Sequence, residues 1–597
     1  PAYASDTPAI ATQKGAPIYA ARCAQCHDHP SGRIPPRYVL NHKTADQVVQ
    51  ILTTGPMRQQ AAGLSPDDIR ELATFISFKR PGSWTDPDPA ANRCAGAPPE
   101  TGESRGDWNG WGRDMANTRL QSDPGIAAAD VPRLKLKWAF AYPGGETSGE
   151  PVAVGGRLYV ASAAGRVFAL DAKTGCTWWS FDAGAPVKTA ISVGPSGAGH
   201  ALYFGDMGGA VHALDADSGR EIWKTKVSDH PLAQVRGSPK LYKGTLYVPV
   251  SSGEEAAAED PAYPCCTFRG TLVAMDAPTG RIIWKTYSIP EAPKPAGKNP
   301  AGTQTYAPSG AAIWGSPTID GKRGRIYVGT GNGYSGNDSP GGDSVMAFDL
   351  KTGKLLWSTR GTAKDVYVVC LKQGTGNCPA EIGPDFDFGS STVLATMPDG
   401  RQLVLAGQKG GVVFDFDPGT GKIVWKVKLA EGGAFGGIEH GIASDGTHVF
   451  VPISDVGTSV AVPKGQDAPH KEGGIVSLEV ATGKQDWRTP APDPAMCSWG
   501  TVSCAAAQPA SPTAIPGVVF SGSLDGHIRA YAAADGKIVW DFDTGRTFPA
   551  VNAAAAHGGA VTGYGQTVAD GMLYVNSGGG YYGPAGNALL AFSVDGK

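Results

Sequence analysis

Ala169-Leu170-Asp171-Ala172-Lys173-Thr174-Gly175, with Trp179 four residues on, decides the fold because it recurs. The next copies are Ala213-Leu214-Asp215-Ala216-Asp217-Ser218-Gly219 with Trp223, and Ala274-Met275-Asp276-Ala277-Pro278-Thr279-Gly280 with Trp284. Ala347-Phe348-Asp349 with Gly353 and Trp357, Asp415-Phe416-Asp417 with Gly421 and Trp425, and Ser477-Leu478-Glu479 with Gly483 and Trp487 follow. Ala530-Tyr531 with Gly536 and Trp540 is degenerate, and Ala591-Phe592 before Asp595-Gly596 ends the series. Each unit reads as a strand, a tight turn and a returning strand that ends in tryptophan. Asp and Thr can bond the turn backbone, and glycine supplies the positive φ the turn needs. The indole fills the gap to the neighbouring sheet, so no unit is stable alone. Spacings run from 44 (Asp171 to Asp215) to 73 (Asp276 to Asp349). Eight such units predict an all-β eight-bladed propeller with tryptophan-docking motifs. An N-terminal strand is expected to close the ring, from either the Leu134–Tyr142 region or the Trp108–Arg119 stretch.

Outside the repeat the chain changes character. Cys23-Ala24-Gln25-Cys26-His27 is a C-x-x-C-H run, the attachment signature of haem c: two thioether links and one axial histidine. Met57, the only methionine before Met115, is the candidate sixth ligand, with His29 and His42 as rivals. Leu64–Ile76 has a Ser65 N-cap, Pro66 at the first helical position and helically spaced apolar residues. These features predict a small all-α cytochrome c domain over residues 1–82. A Pro-rich polar linker follows over 83–105, and the propeller occupies 106–597. The 83 glycines and 47 prolines suit an all-β protein rich in turns, and a net charge of −3 gives no case for nucleic acid. No apolar run approaches a membrane span. With Cys23 and Cys26 assigned to haem, eight cysteines remain, an even number that predicts disulfides and an oxidising compartment. Cys370/Cys378 and Cys497/Cys504 are the short-range candidates, and Cys94/Cys176 would tie the linker to the large domain. Haem c with paired thiols, in a chain opening at Pro1 as a processed form would, predicts a periplasmic location.

The A-x-D-x-x-T-G-x-x-x-W unit resembles the docking motif of alcohol dehydrogenases that use pyrroloquinoline quinone (PQQ), beginning at Trp108-Asn109-Gly110-Trp111-Gly112-Arg113-Asp114. Outer-membrane assembly lipoproteins share the repeat without a cofactor, so the distinction lies in the site. By this resemblance Trp314, in Ala312-Ile313-Trp314-Gly315, is the platform for the planar quinone. Asn332, in Gly329-Thr330-Gly331-Asn332, is a calcium ligand. Glu254, with Glu255 as its rival, is a second. Gly383-Pro384-Asp385-Phe386-Asp387 matches the segment carrying the catalytic base, either Asp385, which would also ligate calcium, or Asp387. Lys409 would contact the quinone oxygens, and Lys188 and Arg236 the cofactor carboxylates. Cys265 and Cys266 are adjacent and can form a ring disulfide of the kind several PQQ enzymes carry over the quinone. The chemistry is coherent on its own terms. Ca²⁺ takes hard oxygen ligands and polarises a carbonyl, and an ionised aspartate accepts an alcohol proton as hydride leaves carbon.

A haem c domain ahead of the propeller, together with Cys265-Cys266-Thr267-Phe268-Arg269-Gly270, most closely resembles the cytochrome-type polyvinyl-alcohol dehydrogenases. That resemblance implies oxidation of secondary alcohols along a polymer to ketones, with electrons passing through haem c to an external cytochrome c. Three alternatives carry different consequences. A quinohaemoprotein dehydrogenase for small alcohols would share the site residues. A haem-d nitrite reductase would need histidines at a second haem, for which only His440 offers itself. A non-enzymatic propeller scaffold or electron-transfer module would bind neither calcium nor quinone.

Overall fold

A computed structural model describes residues 14–28, 34–35, 37–41, 43–77, 86–88, 90–99, 102, 104–336, 338–369, 374–456, 473–492, 497–499, 504–563, 565–579 and 583–597. Its N-terminal part is helical, with helices Gly15–Arg22, Ala24–His27, Arg37–Asn41, Ala45–Thr53 and Pro66–Ser77. Thr44 starts the fourth with a capping box, its Oγ1 accepting from Gln47 N while Gln47 Oε1 accepts from Thr44 N, both at 3.1 Å. Ser65 caps the fifth by accepting from Asp68 N at 3.1 Å, with Pro66 opening the helix as expected. Tyr19, Val48, Leu52, Leu72, Phe75 and Ile76 form the core of this part, and Cys23, Ala24 and Met57 pack against it.

From Leu134 onward the chain is mainly β-structure: among the described residues it forms eight antiparallel blades, seven of them from strands that follow one another in sequence, with three small two-stranded sheets in the connections. The repeated turn behaves as its residues dictate. Asp171 Oδ1 accepts from Lys173 N, Thr174 N and Thr174 Oγ1, and Gly175 has φ +70°. In seven blades a bulge follows the residue that faces the docking tryptophan across the strands, as between Ala169 (opposite Trp179) and Leu170. Six indoles donate Nε1–H to a carbonyl of the next blade, from Trp179 on Ala216 O at 3.0 Å to Trp540 on Leu134 O at 3.1 Å. Trp179 lies so close over Gly219 that a β-carbon there would collide with the ring.

Of the two segments expected to close the ring, Leu134–Ala141 does so. It pairs antiparallel with the last strand, Ala588–Val594, as the outer strand of the eighth blade. Its Trp138 then supplies the indole that covers Gly175 of the first blade. Trp108–Arg119 has a different role. Residues 108–121 thread the ring and bond the first strand of every blade: Trp108 to Ala153, Asn109 to Val193, Lys240 to Trp111, and Ile319 to Met115. Leu394 bonds Ala116, Ser444 bonds Thr118, and Gln121 bonds both Ala514 and Val568. Five residues of this stretch, Gly110, Gly112, Arg113, Asn117 and Arg119, have positive φ, which curls the segment instead of extending it as an edge strand.

Cys497–Cys504 is bonded, as its short spacing suggested, and Cys94–Cys176 is bonded, tying the linker to the large domain as expected. Cys378 is also disulfide-bonded, while Cys370 lies outside the described residues. Asp86 joins the two parts of the chain: Gln47 of the cytochrome-like helix donates to its Oδ2 at 3.1 Å, and Gly144 N to its Oδ1 at 2.7 Å. No helix among the described residues is long and apolar enough to cross a membrane.

Candidate active site

Loops leaving several blades converge on one cavity, and it gathers most of the residues singled out from sequence. Lys188, Arg236, Trp314, Asn332, Asp385, Asp387 and Lys409 all line it. Trp314 rests against Gly389, where a β-carbon would collide with the indole. Its Nε1–H donates to Asp387 Oδ2 at 3.0 Å, and the edge of His440 meets it at 6.1 Å and 82°. An indole clamped from behind and at its rim offers a fixed flat surface. Asn332 N donates to Asp387 Oδ1 at 2.7 Å. Its side-chain Nδ2 bonds Gly333 O at 2.9 Å and Tyr367 O at 2.8 Å, which leaves the amide oxygen as the acceptor of this cavity-lining residue.

The two aspartates that the sequence left as alternatives differ sharply in environment. Both oxygens of Asp387 are occupied, by the Asn332 amide and the Trp314 indole. Asp385 holds Lys409 Nζ on Oδ2 at 2.7 Å, whereas its Oδ1 is buried with no hydrogen-bond partner among the described residues. Burial pushes the Asp385 carboxyl well above the usual carboxylate range, with Lys409 pulling the other way and Asp387 and Glu255 adding to the rise. Lys409 also stands 3.9 Å from Asp387. Burial and then Arg236 push Lys188 down to about 8, against the pull of Glu146. Two half-buried cations lining one cavity suit a ligand carrying carboxylates.

Glu254 does not reach the cavity; Glu255 does. Glu254 Oε1 accepts from Tyr263 Oη at 3.0 Å and Thr267 N at 2.8 Å, and its Oε2 from Phe268 N at 2.8 Å. Those bonds turn it away, and the short helix Glu254–Ala257 points its neighbour inward. Burial, then Asp387, push Glu255 up to about 7, with Lys409 and Arg236 opposing. Cys265 and Cys266 are bonded to each other but do not line the cavity. They are buried in the third blade's core, drawn in by the same Glu254 bonds to the residues that follow them. His440, weighed from sequence only as a haem ligand, lines the cavity, and Asp365, which no sequence signal singled out, bonds the backbone of the Asp385 loop behind it. Burial, with Arg236, Lys188 and Lys409 nearby, drives His440 down to about 3, so its ring is neutral. Among the described residues no three His, Cys, Asp or Glu side chains converge to hold a metal by themselves. A cation here would need the Asn332 oxygen and ligands brought by a cofactor.

The cytochrome motif is equally consistent with its chemistry. Cys23 and Cys26 are not bonded to each other, which leaves both thiols for attachment. His27 is buried, and its Nδ1 bonds Pro35 O at 2.8 Å, fixing the ring so that Nε2 is the nitrogen left to meet a ligand. Met57 packs on the same core as Cys23. His29 and His42 lie outside the described residues.

Comparison with known proteins agrees with this geometry. A family model for the β-propeller domain of glucose/ethanol/alcohol dehydrogenases matches residues 229–431, the span holding Arg236, Glu255, Trp314, Asn332, Asp385 and Lys409. A model described as outer membrane protein assembly factor BamB matches 110–263 and 409–582, and one for the cbb3-type cytochrome c oxidase subunit III matches 11–76. A polyvinylalcohol dehydrogenase of Pseudomonas sp. is 41% identical over 98% of this chain and 94% of its own length. One from Sphingopyxis sp. (strain 113P3) is also 41% identical, over 98% and 93%. The crystal structure of quinohemoprotein alcohol dehydrogenase from Comamonas testosteroni shares the fold, with a TM-score of 0.62 at 22% identity over 83% of this chain and 81% of that one. The repeat, the cavity, the C-x-x-C-H helix and 41% identity over 98% of the chain together show that the chain belongs to the polyvinylalcohol dehydrogenase family, enzymes of the PQQ dehydrogenase class with an N-terminal haem c domain.

Proposed function

We propose that this enzyme oxidises the secondary hydroxyl groups of polyvinyl alcohol to ketones in the periplasm and passes the electrons through haem c to an external cytochrome c. The chain divides accordingly into a cytochrome domain (1–82), a linker (83–105) and a catalytic propeller (106–597). The observation that carries the reading is the buried Asp385–Lys409 pair, with one carboxylate oxygen unpartnered beside the Trp314 platform. Bound PQQ supplies the two-electron oxidant, a calcium ion the Lewis acid, and haem c the one-electron outlet. Lys188 and Arg236 hold the cofactor carboxylates, and Trp314 its plane. Asn332 Oδ1, Glu255 and Asp385 are the oxygen donors for calcium, a hard cation suited to such ligands. Asp385 takes the hydroxyl proton on Oδ1: burial raises its affinity for that proton, and Lys409 on Oδ2 favours the ionised form from which it accepts. Asp387 serves the platform by holding the indole and the Asn332 amide. Met57 is the sixth ligand of the haem iron. The polymer assignment is supported by the 41% identity to two proteins bearing that name.

The test is dye-linked dehydrogenase activity of the haem protein, before and after adding PQQ with Ca²⁺, on polyvinyl alcohol, 2-propanol and ethanol while haem reduction is followed. Activity requiring both additions and favouring the polymer is expected. Preference for the small alcohols would overturn the substrate reading alone. Absence of haem reduction with every alcohol would overturn the enzyme reading in favour of a scaffold.

A further inference from the structure

We infer that Asp365 is a positioning residue for the base: it holds the Asp385 backbone in the conformation that aims the carboxylate, and Gly383 is the glycine that lets it approach. The inference rests on the proposed role of Asp385. Asp385 has φ +59°, a left-handed conformation that is unfavourable for a residue with a β-carbon and persists where the surroundings over-determine it. The surroundings here are the Asp365 carboxylate. Its Oδ1 accepts from Asp385 N at 3.2 Å and its Oδ2 from Phe386 N at 2.7 Å, so one carboxylate straddles two consecutive amides. Two charge-assisted bonds to successive N–H groups fix both peptide planes about Asp385.

The segment carrying Asp365 is itself anchored to the opposite wall. Gly333 N donates to Asp365 O at 3.1 Å, and Tyr367 N to Gly333 O at 2.9 Å. Tyr367 O receives the Asn332 side chain. On the other side, Gly383 N donates to Val366 O at 2.8 Å. A β-carbon on Gly383 would collide with Asp365 Oδ1 and come within 2.7 Å of Val366 N. Residues 365–367 therefore lie between the Asn332 loop and the Asp385 loop and set the distance between them. Asp365 does not line the cavity, so it acts on the reaction only through Asp385.

The experiment compares Asp365→Ala, Asp365→Asn and Gly383→Ala with Asp385→Asn in the full-length holoprotein. PQQ binding is read by quenching of tryptophan fluorescence, haem by its absorption spectrum, and kcat and KM on 2-propanol. Expected is a fall in kcat of about 100-fold for Asp365→Ala, the scale of a displacement near 1 Å, with KM and PQQ affinity within about twofold. Gly383→Ala should match it. Asp365→Asn keeps one acceptor and should recover about a tenth of the wild-type kcat. Failure of Asp365→Ala to bind PQQ, or an Asn variant no better than Ala, would overturn the positioning role. An inactive Asp385→Asn beside a fully active Asp365→Ala would sink this inference alone. An active Asp385→Asn would sink both it and the base assignment.

Discussion

Replacing Asp415 by alanine should stabilise the propeller, by an amount that grows with pH. In the fifth blade Asp415 stands opposite Trp425, at the position where other blades place Ala169, Ala213, Ala274, Ala347 and Ala530, all fully buried. Asp415 is just as buried, and neither of its carboxylate oxygens has a side-chain hydrogen-bond partner among the described residues. Burial raises its carboxyl from 3.8 to about 8, the Phe416 amide opposing and Asp417 adding to the rise. For an acid whose folded value is raised, the native state keeps a proton that the unfolded state loses. Stability therefore falls as pH climbs from the unfolded value toward the folded one. At about 1.4 kcal/mol per unit, the residue costs about 1.5–2 kcal/mol at pH 5 and about 4 kcal/mol at pH 7. Removing the side chain forfeits packing of about 1 kcal/mol, and alanine already fits this niche in five other blades. Asp415→Ala should thus gain about 1 kcal/mol at pH 5 and about 3 kcal/mol at pH 7. The assay is urea unfolding followed by tryptophan fluorescence at both pH values, with haem absorbance tracking the cytochrome part separately. Equal gains at the two pH values, or a loss at pH 7, would refute the reasoning.

Two further expectations follow from the cofactor sites. Met57→His should lower the haem reduction potential, because a second imidazole replaces a thioether; a spectroelectrochemical titration with an unchanged midpoint would remove Met57 from the iron. PQQ affinity should fall as pH rises through about 8, because Lys188, lowered to that value mainly by burial, is cationic below it and neutral above. Fluorescence titrations at pH 7 and pH 9 check this, and a Lys188→Met variant should lose most of the difference.

The blade count, the turn chemistry and the haem attachment are legible in the chain because each is local. An Asp, a Thr and a positive-φ glycine build a turn within seven residues, and two cysteines and a histidine fall within five consecutive residues. Ring closure was half legible: the need for an N-terminal strand follows from eight blades. Which segment supplies it depends on positive φ values at Arg113, Asn117 and Arg119, which residue identity does not signal. The carboxylates show the same division. Acidic residue types at 254–255 and 385–387 are visible as candidates, yet adjacent residues on a loop or a single helical turn face different ways. Only the Tyr263, Thr267 and Phe268 bonds send Glu254 inward to the core and leave Glu255 to the cavity. Likewise, only packing leaves Asp385 with a free oxygen and occupies both oxygens of Asp387. The sequence by itself thus determined the repeat, the closed ring it demands and the redox group at its N-terminus. The tertiary structure decided which carboxylates act, because burial and hydrogen-bond partners come from segments dozens to hundreds of residues apart and no local pattern encodes them.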